Sequence, residues 1–382
     1  MLAKSSNQFV IGMVGGGQLG RMFIQNALNY NCQIHCLDPD AQAPASIYAH
    51  HFICGSLTDY QTLLDFGKDC DLITIEIENV NTDALKALEG MGKKVFPKPE
   101  HIQLIQDKRV QKQFYKDHQI PSTDFVLTEN LSDLQQYAHF LPAVHKLGRE
   151  GYDGRGVQLI REASDLKLGF DKPSVLEKMA DIKVEVAVIV ARNEAGQIMS
   201  FPPTEMVVDA SANLLDFLYA PARISDKEAE EAQKLAESVV LKMQFVGLLA
   251  VEMFLTQSGE LLVNEIAPRP HNSGHHSIEA NDCSQFEQHL RAIMGWPLAT
   301  TNTRCKAAML NLLGERGHIG AAYYEGLEQV LAMPLVFVHL YGKQNTKPMR
   351  KMGHVTVLGQ TEEEVWTKTN QIKQILKVKA RP

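Results

Sequence analysis

The sequence predicts an α/β fold followed by an α+β one. A parallel sheet lies at the N-terminus, an antiparallel body follows it, and a small mostly-β part closes the chain. Three patterns carry this reading. Up to about residue 100, strand-like and helix-like segments alternate, which builds a parallel sheet with helices on both faces. In the middle, long apolar runs rich in Val, Ile and Leu are joined by short turns, as in antiparallel strands. From about Trp296 the runs are short and strand-like, and one helical pattern ends the chain.

The elements follow in order. "FVIGMVG" reads as a strand, "QLGRMFIQNALNYN" as a helix and "QIHCLD" as a strand. The turn after the first strand holds Gly15, Gly16, Gly17 and Gly20. With Asp38 it mimics the G-x-G-x-x-G dinucleotide fingerprint, so an NAD-dependent oxidoreductase is one reading. "DYQTLLDFGKDC" is a helix, and "DLITIEIE" is a strand ending in Glu76 and Glu78, at the edge where such sheets bind ligands. "TDALKALEGMG" is a helix and "KVFP" a short strand. The stretch from Pro97 to Phe125 contributes one helix with a proline exit. "PAVHKL" and "VQLI" are strands on either side of the glycine loop "GREGYDGRG". "SVLEKMADIKVEVAVIVAR" reads as two strands of one antiparallel sheet. Ser225 and Glu228 form a capping box ahead of a long helix. "VGLLAVEMFLT" and "GELLVNEIA" pair through the turn "QSGE".

Composition narrows the class. The 382 residues are 45% hydrophobic and 22% charged, as in ordinary globular proteins. A net charge of −7 argues against general nucleic-acid binding. Neither a membrane span nor a signal peptide is legible, which predicts a cytoplasmic protein. Six cysteines make no CxxC, so neither a disulfide framework nor a zinc site is expected. From Tyr341 onward nine basic residues face three acids; such a segment could meet an anionic ligand or be a solvated helix face.

The residues that carry chemistry lie in two stretches. In "VEMFLTQSGELLVNEIAPRPHNSGHH", Glu252 sits mid-strand in an apolar run, and Glu265 ends the partner strand beside Asn264. Carboxylates buried in strands are costly unless a cation pairs them. Two of them plus an amide oxygen make a hard-oxygen site suited to Mg²⁺ on nucleotide phosphates; a salt bridge to Arg269 is the structural alternative. In "HKLGREGYDGRG", glycines 148, 151, 154 and 156 give a loop whose N–H groups can close over phosphate, with Lys146 as a point charge. Of His275 and His276 at most one is expected to face a cleft, the other a surface partner.

These stretches resemble the ATP-grasp superfamily, and within it the 5-(carboxyamino)imidazole ribonucleotide synthase family of purine biosynthesis. The resemblance runs from Val10 to Gly359 through "GGGQLGRM", "EIENV", "QDK…QK.F…IP", "GYDGRG", "NEIAPRPHNSGHH" and "MRKMGHV". It implies an ATP-grasp architecture. A Rossmann-like pre-ATP-grasp domain would occupy 1–105, a two-part ATP-grasp domain 106–295 with a lid at about 120–180, and a C-terminal domain 296–382. It further implies an ATP- and bicarbonate-dependent ligase that carboxylates the exocyclic amine of 5-aminoimidazole ribonucleotide through carboxyphosphate, with a homodimer and Mg²⁺.

The ATP residues implied are Lys108, Lys146, Gly151, Tyr152, Asp153, Gly154, Arg155, Gly156, the hinge Glu177, Lys178, Met179 and Ala180, then Glu185, Asn264 and Glu265. Metal ligands fall on Glu252 and Glu265. Asp153, Arg155, His271 and Tyr152 take the catalytic places. Substrate contacts fall on Gln18, Glu76, Arg269, Asn272, Ser273, Lys343, Arg350 and Lys351, the last two as phosphate anchors. On this reading the opening glycine turn presents a helix N-terminus to the ribonucleotide. The chain departs from the family pattern at Glu150, Met206, Val208 and Lys178. A formate-using glycinamide ribonucleotide transformylase, or another carboxylate–amine ligase, is the alternative within the superfamily. Outside it stand the oxidoreductase and a silent nucleotide-binding protein.

Overall fold

The computed structural model describes residues 9–149, 151, 156–209 and 214–381. Its first part alternates as the sequence predicts: β1 (Val10–Val14), α1 (Gln18–Leu28), β2 (Gln33–Asp38), β3 (His51–Cys54), α2 (Tyr60–Lys68), β4 (Leu72–Ile75), α3 (Thr82–Gly90) and β5 (Lys94–Val95). These strands form a parallel sheet in the order β3-β2-β1-β4-β5. β3 was not legible, because "HFIC" is a half-exposed edge strand without a long apolar run. β4 stops at Ile75, so Glu76 and Glu78 stand just beyond its carboxyl end.

The next stretch yields two helices where the sequence reading has one: α4 (Pro99–Gln106) and α5 (Lys108–Asp117). Asp107 breaks them. Its backbone is extended, and its carboxylate caps α5 by accepting the Arg109 N–H.

A small antiparallel sheet follows, built from β6 (Phe125–Thr128), β7 (Ala143–Leu147), β8 (Val157–Ile160) and β9 (Ser174–Lys178), with the short α6 (Leu131–Gln135) after β6. Its order is β6-β9-β7-β8. β9 and β10 (Ile182–Arg192) are therefore not partners in one sheet, contrary to the sequence reading. The chain leaves the small sheet at Lys178 and enters a larger one at Ile182.

That larger sheet holds β10, β11 (Ile198–Ser200), β12 (Thr204–Asp209) and β13 (Leu214–Ala220). After α7 (Asp226–Met243) it gains the hairpin β14 (Gly247–Thr256) and β15 (Leu261–Ala267). The capping box of Ser225 and Glu228 starts α7 as read. The short α8 (Ser277–Ala280) and α9 (Gln285–Met294) lead into β16 (Lys306–Leu313), β17 (Gly320–Glu325), α10 (Leu327–Leu331), β18 (Val336–Leu340), β19 (Asn345–Thr346) and β20 (Lys351–Gly359). The chain closes with α11 (Glu362–Ile375) and β21 (Lys377–Ala380). The strand after the last helix was not foreseen.

β16, β20 and β18 continue the large sheet, whose order is β15-β14-β10-β12-β13-β16-β20-β18 with β11 on β10. Central and C-terminal parts thus share one hydrogen-bonded ladder. The N-terminal part joins through apolar packing. Met22, Phe23 and Ile24 of α1 share a core with Phe286, Leu290 and Ile293 of α9 and with Tyr341. Met13 of β1 belongs to the same core. All six cysteines are free, and among the described residues no helix is long and apolar enough to cross a membrane.

Candidate active site

The hairpin β14–β15 supplies the acids. Glu252 and Glu265 are directly paired across its two strands, so both side chains leave the same face. The register slips immediately afterwards, with Met253 opposite Val263, which leaves Asn264 as an extra residue. Such a bulge re-aims side chains; here it lets the consecutive Asn264 and Glu265 serve one pocket. On β10, Ala187 faces Glu252, so Glu185 two residues away lies on that same face.

Lysines from three other elements converge on these acids. Lys108, at the start of α5, meets Glu265 Oε2 at 2.5 Å. Lys146 of β7 donates to Asn264 Oδ1 at 2.9 Å and lies 3.1 Å from Glu177 Oε1. Lys112, one turn beyond Lys108, pairs with Glu177 Oε2 at 2.9 Å. Lys108 holds the Glu265 carboxyl well below its ordinary value. Burial, with the charges of Glu265 and Glu185 added, pushes Glu252 up. Among the described residues its close basic neighbour is the imidazole of His271, Nε2 at 3.4 Å from Oε1. Glu265 is enclosed by protein yet 41% exposed, because the enclosure is a cleft with an open side.

These donors fit a divalent cation. Two opposed carboxylates share too little positive charge to be ionised together comfortably, and Mg²⁺ is commonly held by one or two carboxylates plus phosphate oxygens and water. Among the described residues no cluster of three or more His, Cys, Asp or Glu side chains could hold a metal. A cation here would therefore need oxygens from a ligand.

The hinge from Glu177 to Ala180 links the two antiparallel sheets. The Glu177 carboxylate does not face open space: it is 4% exposed and takes Lys112, Lys146 and the Thr123 hydroxyl. Lys178 folds back to donate to the carbonyls of Phe140 and Leu141. Met179 is exposed and offers an apolar shelf. The glycine loop is anchored at its base, where Lys108 N–H donates to Gly148 O and Arg149 pairs with Asp107. Gly156 at its far end has φ +73°, a conformation that glycine adopts without strain. Glu150, Tyr152, Asp153, Gly154 and Arg155 lie outside the described residues, as does the side chain of Val208.

On the N-terminal side, Glu76 holds the glycine turn closed. Its carboxylate accepts the N–H groups of Gly17 at 2.5 Å and Gly20 at 2.6 Å. A Cβ on Gly17 would come within 2.5 Å of Glu76 Oε1. The positive end of α1 is thus capped by the protein's own carboxylate, which argues against the dinucleotide reading. Burial raises the Glu76 pKa against these two donors. Asp38 serves its own turn, accepting from Gly16 and Asp40 N–H. Gln18 opens α1 beside this cap, partly exposed.

Arg269 pairs with the parallel sheet. Its Nε lies 2.8 Å from Glu78 Oε1, tying the end of the hairpin to the parallel sheet. Beyond it, His271 Nδ1 shares a hydrogen bond with Ser273 Oγ at 2.9 Å. Asn272 Nδ2 is buried with no hydrogen-bond partner among the described residues, as befits a donor kept for a ligand. His275 and His276 are both buried, at 1% and 2% exposure, so neither is a surface residue. His275 packs against His354, which stacks on His339 with ring centroids 4.4 Å apart and shares a hydrogen bond with the Tyr341 hydroxyl. This column fastens the "NSGHH" segment to the C-terminal strands. Lys343 donates to the carbonyl of Lys351, and Arg350 to that of Asn345, so the basic residues gather where β20 begins.

The site thus joins Lys108, Lys146, Glu252, Asn264, Glu265 and His271 into one pocket. Lys112 and Thr123 were missed. Lys112 had a signal, its i+4 spacing from Lys108 on one helix face; Thr123 is brought in by tertiary packing alone, as is the pairing of Glu78 with Arg269.

Two antiparallel sheets meeting over a lysine–glutamate pocket, with a parallel sheet alongside, define an ATP-grasp protein, and residues 113–286 match the ATP-grasp domain. Residues 9–106 match the ribonucleotide synthetase preATP-grasp domain, and residues 307–368 the phosphoribosylaminoimidazole carboxylase C-terminal domain. The chain is 38% identical to N5-carboxyaminoimidazole ribonucleotide synthase of Staphylococcus aureus, over 94% of this chain and 96% of that one. The crystal structure of N5-carboxyaminoimidazole ribonucleotide synthetase from Thermotoga maritima matches with TM-score 0.90 and 41% identity, over 98% of this chain and 100% of that one. N5-carboxyaminoimidazole synthase from Aspergillus clavatus, crystallised with ADP and 5-aminoimidazole ribonucleotide, matches with TM-score 0.88 and 33% identity, over 96% and 98%. The chain belongs to the N5-carboxyaminoimidazole ribonucleotide synthase family. It spans only 64% of the length of the Vigna aconitifolia phosphoribosylaminoimidazole carboxylase, to which it is 36% identical.

Proposed function

We propose that the protein uses ATP and bicarbonate to carboxylate the exocyclic amine of 5-aminoimidazole ribonucleotide, releasing ADP and phosphate, in purine biosynthesis. The observation that carries this reading is the opposed pair Glu252 and Glu265, fed by Lys108 and Lys146 and facing the edge of the N-terminal sheet. The Aspergillus clavatus relative, crystallised with ADP and the aminoimidazole ribonucleotide, supports both substrate classes.

Glu252, Glu265 and the Asn264 oxygen would hold Mg²⁺, which when bound neutralises charge on the phosphates during phosphoryl transfer. Lys146 and Lys108 supply fixed positive charge where the transferred phosphoryl group would lie. The glycine loop would keep water from the acyl phosphate, carboxyphosphate. Tyr152, Asp153, Arg155 and His271 complete the site. Arg155 and His271 orient bicarbonate and then the leaving phosphate, and Asp153 accepts the proton of the attacking amine. Arg350 and Lys351, with Lys343 behind them, anchor the ribonucleotide phosphate; Asn272, Arg269, Ser273, Gln18 and Glu76 border its ring and ribose. A homodimer acting in the cytoplasm belongs to the same reading.

The test is ADP release with each substrate omitted in turn. Release that requires both bicarbonate and aminoimidazole ribonucleotide supports the proposal. Release driven by formate and glycinamide ribonucleotide would replace it with the transformylase, and NADH binding without ATP binding would end it.

A further inference from the structure

The pocket contains a cation that the nucleotide reading leaves without a task. The Lys112 side chain is only 2% exposed. Its ammonium donates to Thr123 Oγ1 at 3.0 Å and pairs with Glu177 Oε2 at 2.9 Å, and Thr123 donates to that same oxygen at 2.7 Å. The other Glu177 oxygen faces Lys146 at 3.1 Å. One buried carboxylate therefore stands between two lysines. Lys112 is sealed in protein, whereas Lys146 is 12% exposed and also touches Asn264 in the metal-type pocket.

The two partners respond unequally. Burial raises the Glu177 pKa, yet Lys146 and Lys112 outweigh it and hold it at about 2. Burial lowers the Lys112 pKa, and Glu177 only partly offsets this because Lys146 and Lys108 repel the same ammonium. Glu177 gains from the cluster while Lys112 is strained by it. A second buried cation on a satisfied carboxylate is costly, so its use must appear in another state of the site. When Lys146 turns toward phosphate oxygens, its pairing with Glu177 weakens. Without Lys112, that departure would strand a buried anion.

We propose that Lys112 is a positioning residue: it is the resident counter-ion of Glu177, and it frees Lys146 for the nucleotide phosphates. This rests on the ATP reading above. Lys112 meets no substrate; it sets how strongly Glu177 competes for Lys146.

The competition makes an unusual prediction, that removing both partners is milder than removing one. In the full-length protein, Lys112→Met should weaken ADP binding by calorimetry, and raise the KM for ATP, at least tenfold. The KM for aminoimidazole ribonucleotide should stay within twofold. Lys112→Met combined with Glu177→Gln should recover ADP affinity to within about threefold of wild type, since a neutral amide competes for Lys146 far less than a carboxylate does. Lys112→Arg, which keeps the charge, should fall between wild type and Lys112→Met. A double variant as impaired as Lys112→Met, or Lys112→Met binding ADP like wild type, overturns the proposal. If Lys112→Met does not fold, Lys112→Gln, which keeps a hydrogen-bond donor without the charge, decides: it should bind ADP at least tenfold more weakly than wild type, and wild-type binding overturns the proposal. Wild-type protein that binds neither ADP nor ATP would instead overturn the nucleotide reading, and this inference with it.

Discussion

Two buried acid sites, one on each side of the cleft, solve the same problem in opposite ways. Glu76 accepts two backbone N–H groups at the start of α1, with Asp38 adding a weaker like charge. Glu252 and Glu265 face each other across a hairpin, and among the described residues only Glu265 has a lysine within hydrogen-bond reach. The first arrangement satisfies a carboxylate with dipoles and closes a turn. The second leaves an acid whose ionisation the rest of the fold opposes. Completeness marks a scaffold, whereas an acid short of positive charge marks a place built for a ligand.

The sharpest way to break this contrast is Glu265→Gln. Removing one of two metal-type carboxylates, and with it the partner of Lys108, should reduce ADP release on the order of 10³-fold, a loss of several kcal/mol of transition-state stabilisation. Circular dichroism should remain that of the native fold. Turnover within tenfold of wild type would remove Glu265 from the essential ligands.

Glu76→Ala should act on stability first. It leaves the Gly17 and Gly20 N–H groups without an acceptor, at about 1–3 kcal/mol for each buried donor. Chemical denaturation should show a loss of about 2–5 kcal/mol, while Glu76→Gln, which keeps one acceptor, should lose less. A variant as stable as wild type would mean that water reaches the turn.

Glu252→Gln should do the reverse and stabilise the metal-free protein, by about 1–2 kcal/mol at neutral pH. The sign follows from the direction of the shift. A carboxyl raised by burial and by Glu265 holds a proton in the folded state that the unfolded chain has already released. Stability in the absence of metal therefore falls as pH rises above the ordinary carboxylate range, and Glu252→Gln should flatten that fall. Equal pH slopes for wild type and variant would show that Glu252 is not the group responsible. Turnover of the variant should be lost, so stability and activity part company at this position and move together at Glu76.

The sequence made the chemistry of the second acid site legible and hid that of the first. Glu252 stands out because a carboxylate interrupts an apolar strand, and Glu265 because it ends the facing one; period-two alternation puts both on one face. Glu76 also ends a strand, but nothing local says that its partners are N–H groups of a turn some sixty residues earlier. The same limit explains Glu78 with Arg269 and Thr123 with Glu177, pairs that exist only once two sheets pack together. Sheet membership failed for the same reason: the apolar runs of β9 and β10 announce two strands, while the three intervening residues, Met179 to Asp181, decide that these belong to different sheets. Asp107 was missed as a helix break because its neighbours on both sides are good helix formers; the evidence is its role as a cap.

The mildest test concerns the far rim of the cleft. Lys343, Arg350 and Lys351 gather where β20 begins, Lys343 donating to the Lys351 carbonyl and Arg350 to that of Asn345. Three basic side chains at one rim favour an anion there. If that anion is the ribonucleotide phosphate, Lys351→Ala should raise the KM for aminoimidazole ribonucleotide about tenfold, the worth of one charge-assisted contact at a partly exposed site. The KM for ATP should change less than twofold, because Lys108, Lys146 and the acid pair belong to a separate set of contacts. Steady-state kinetics with each substrate varied against saturating partners separates the outcomes. An equal rise in both constants would mean that Lys351 supports the cleft as a whole, and the distinction between its two rims would then have to be redrawn.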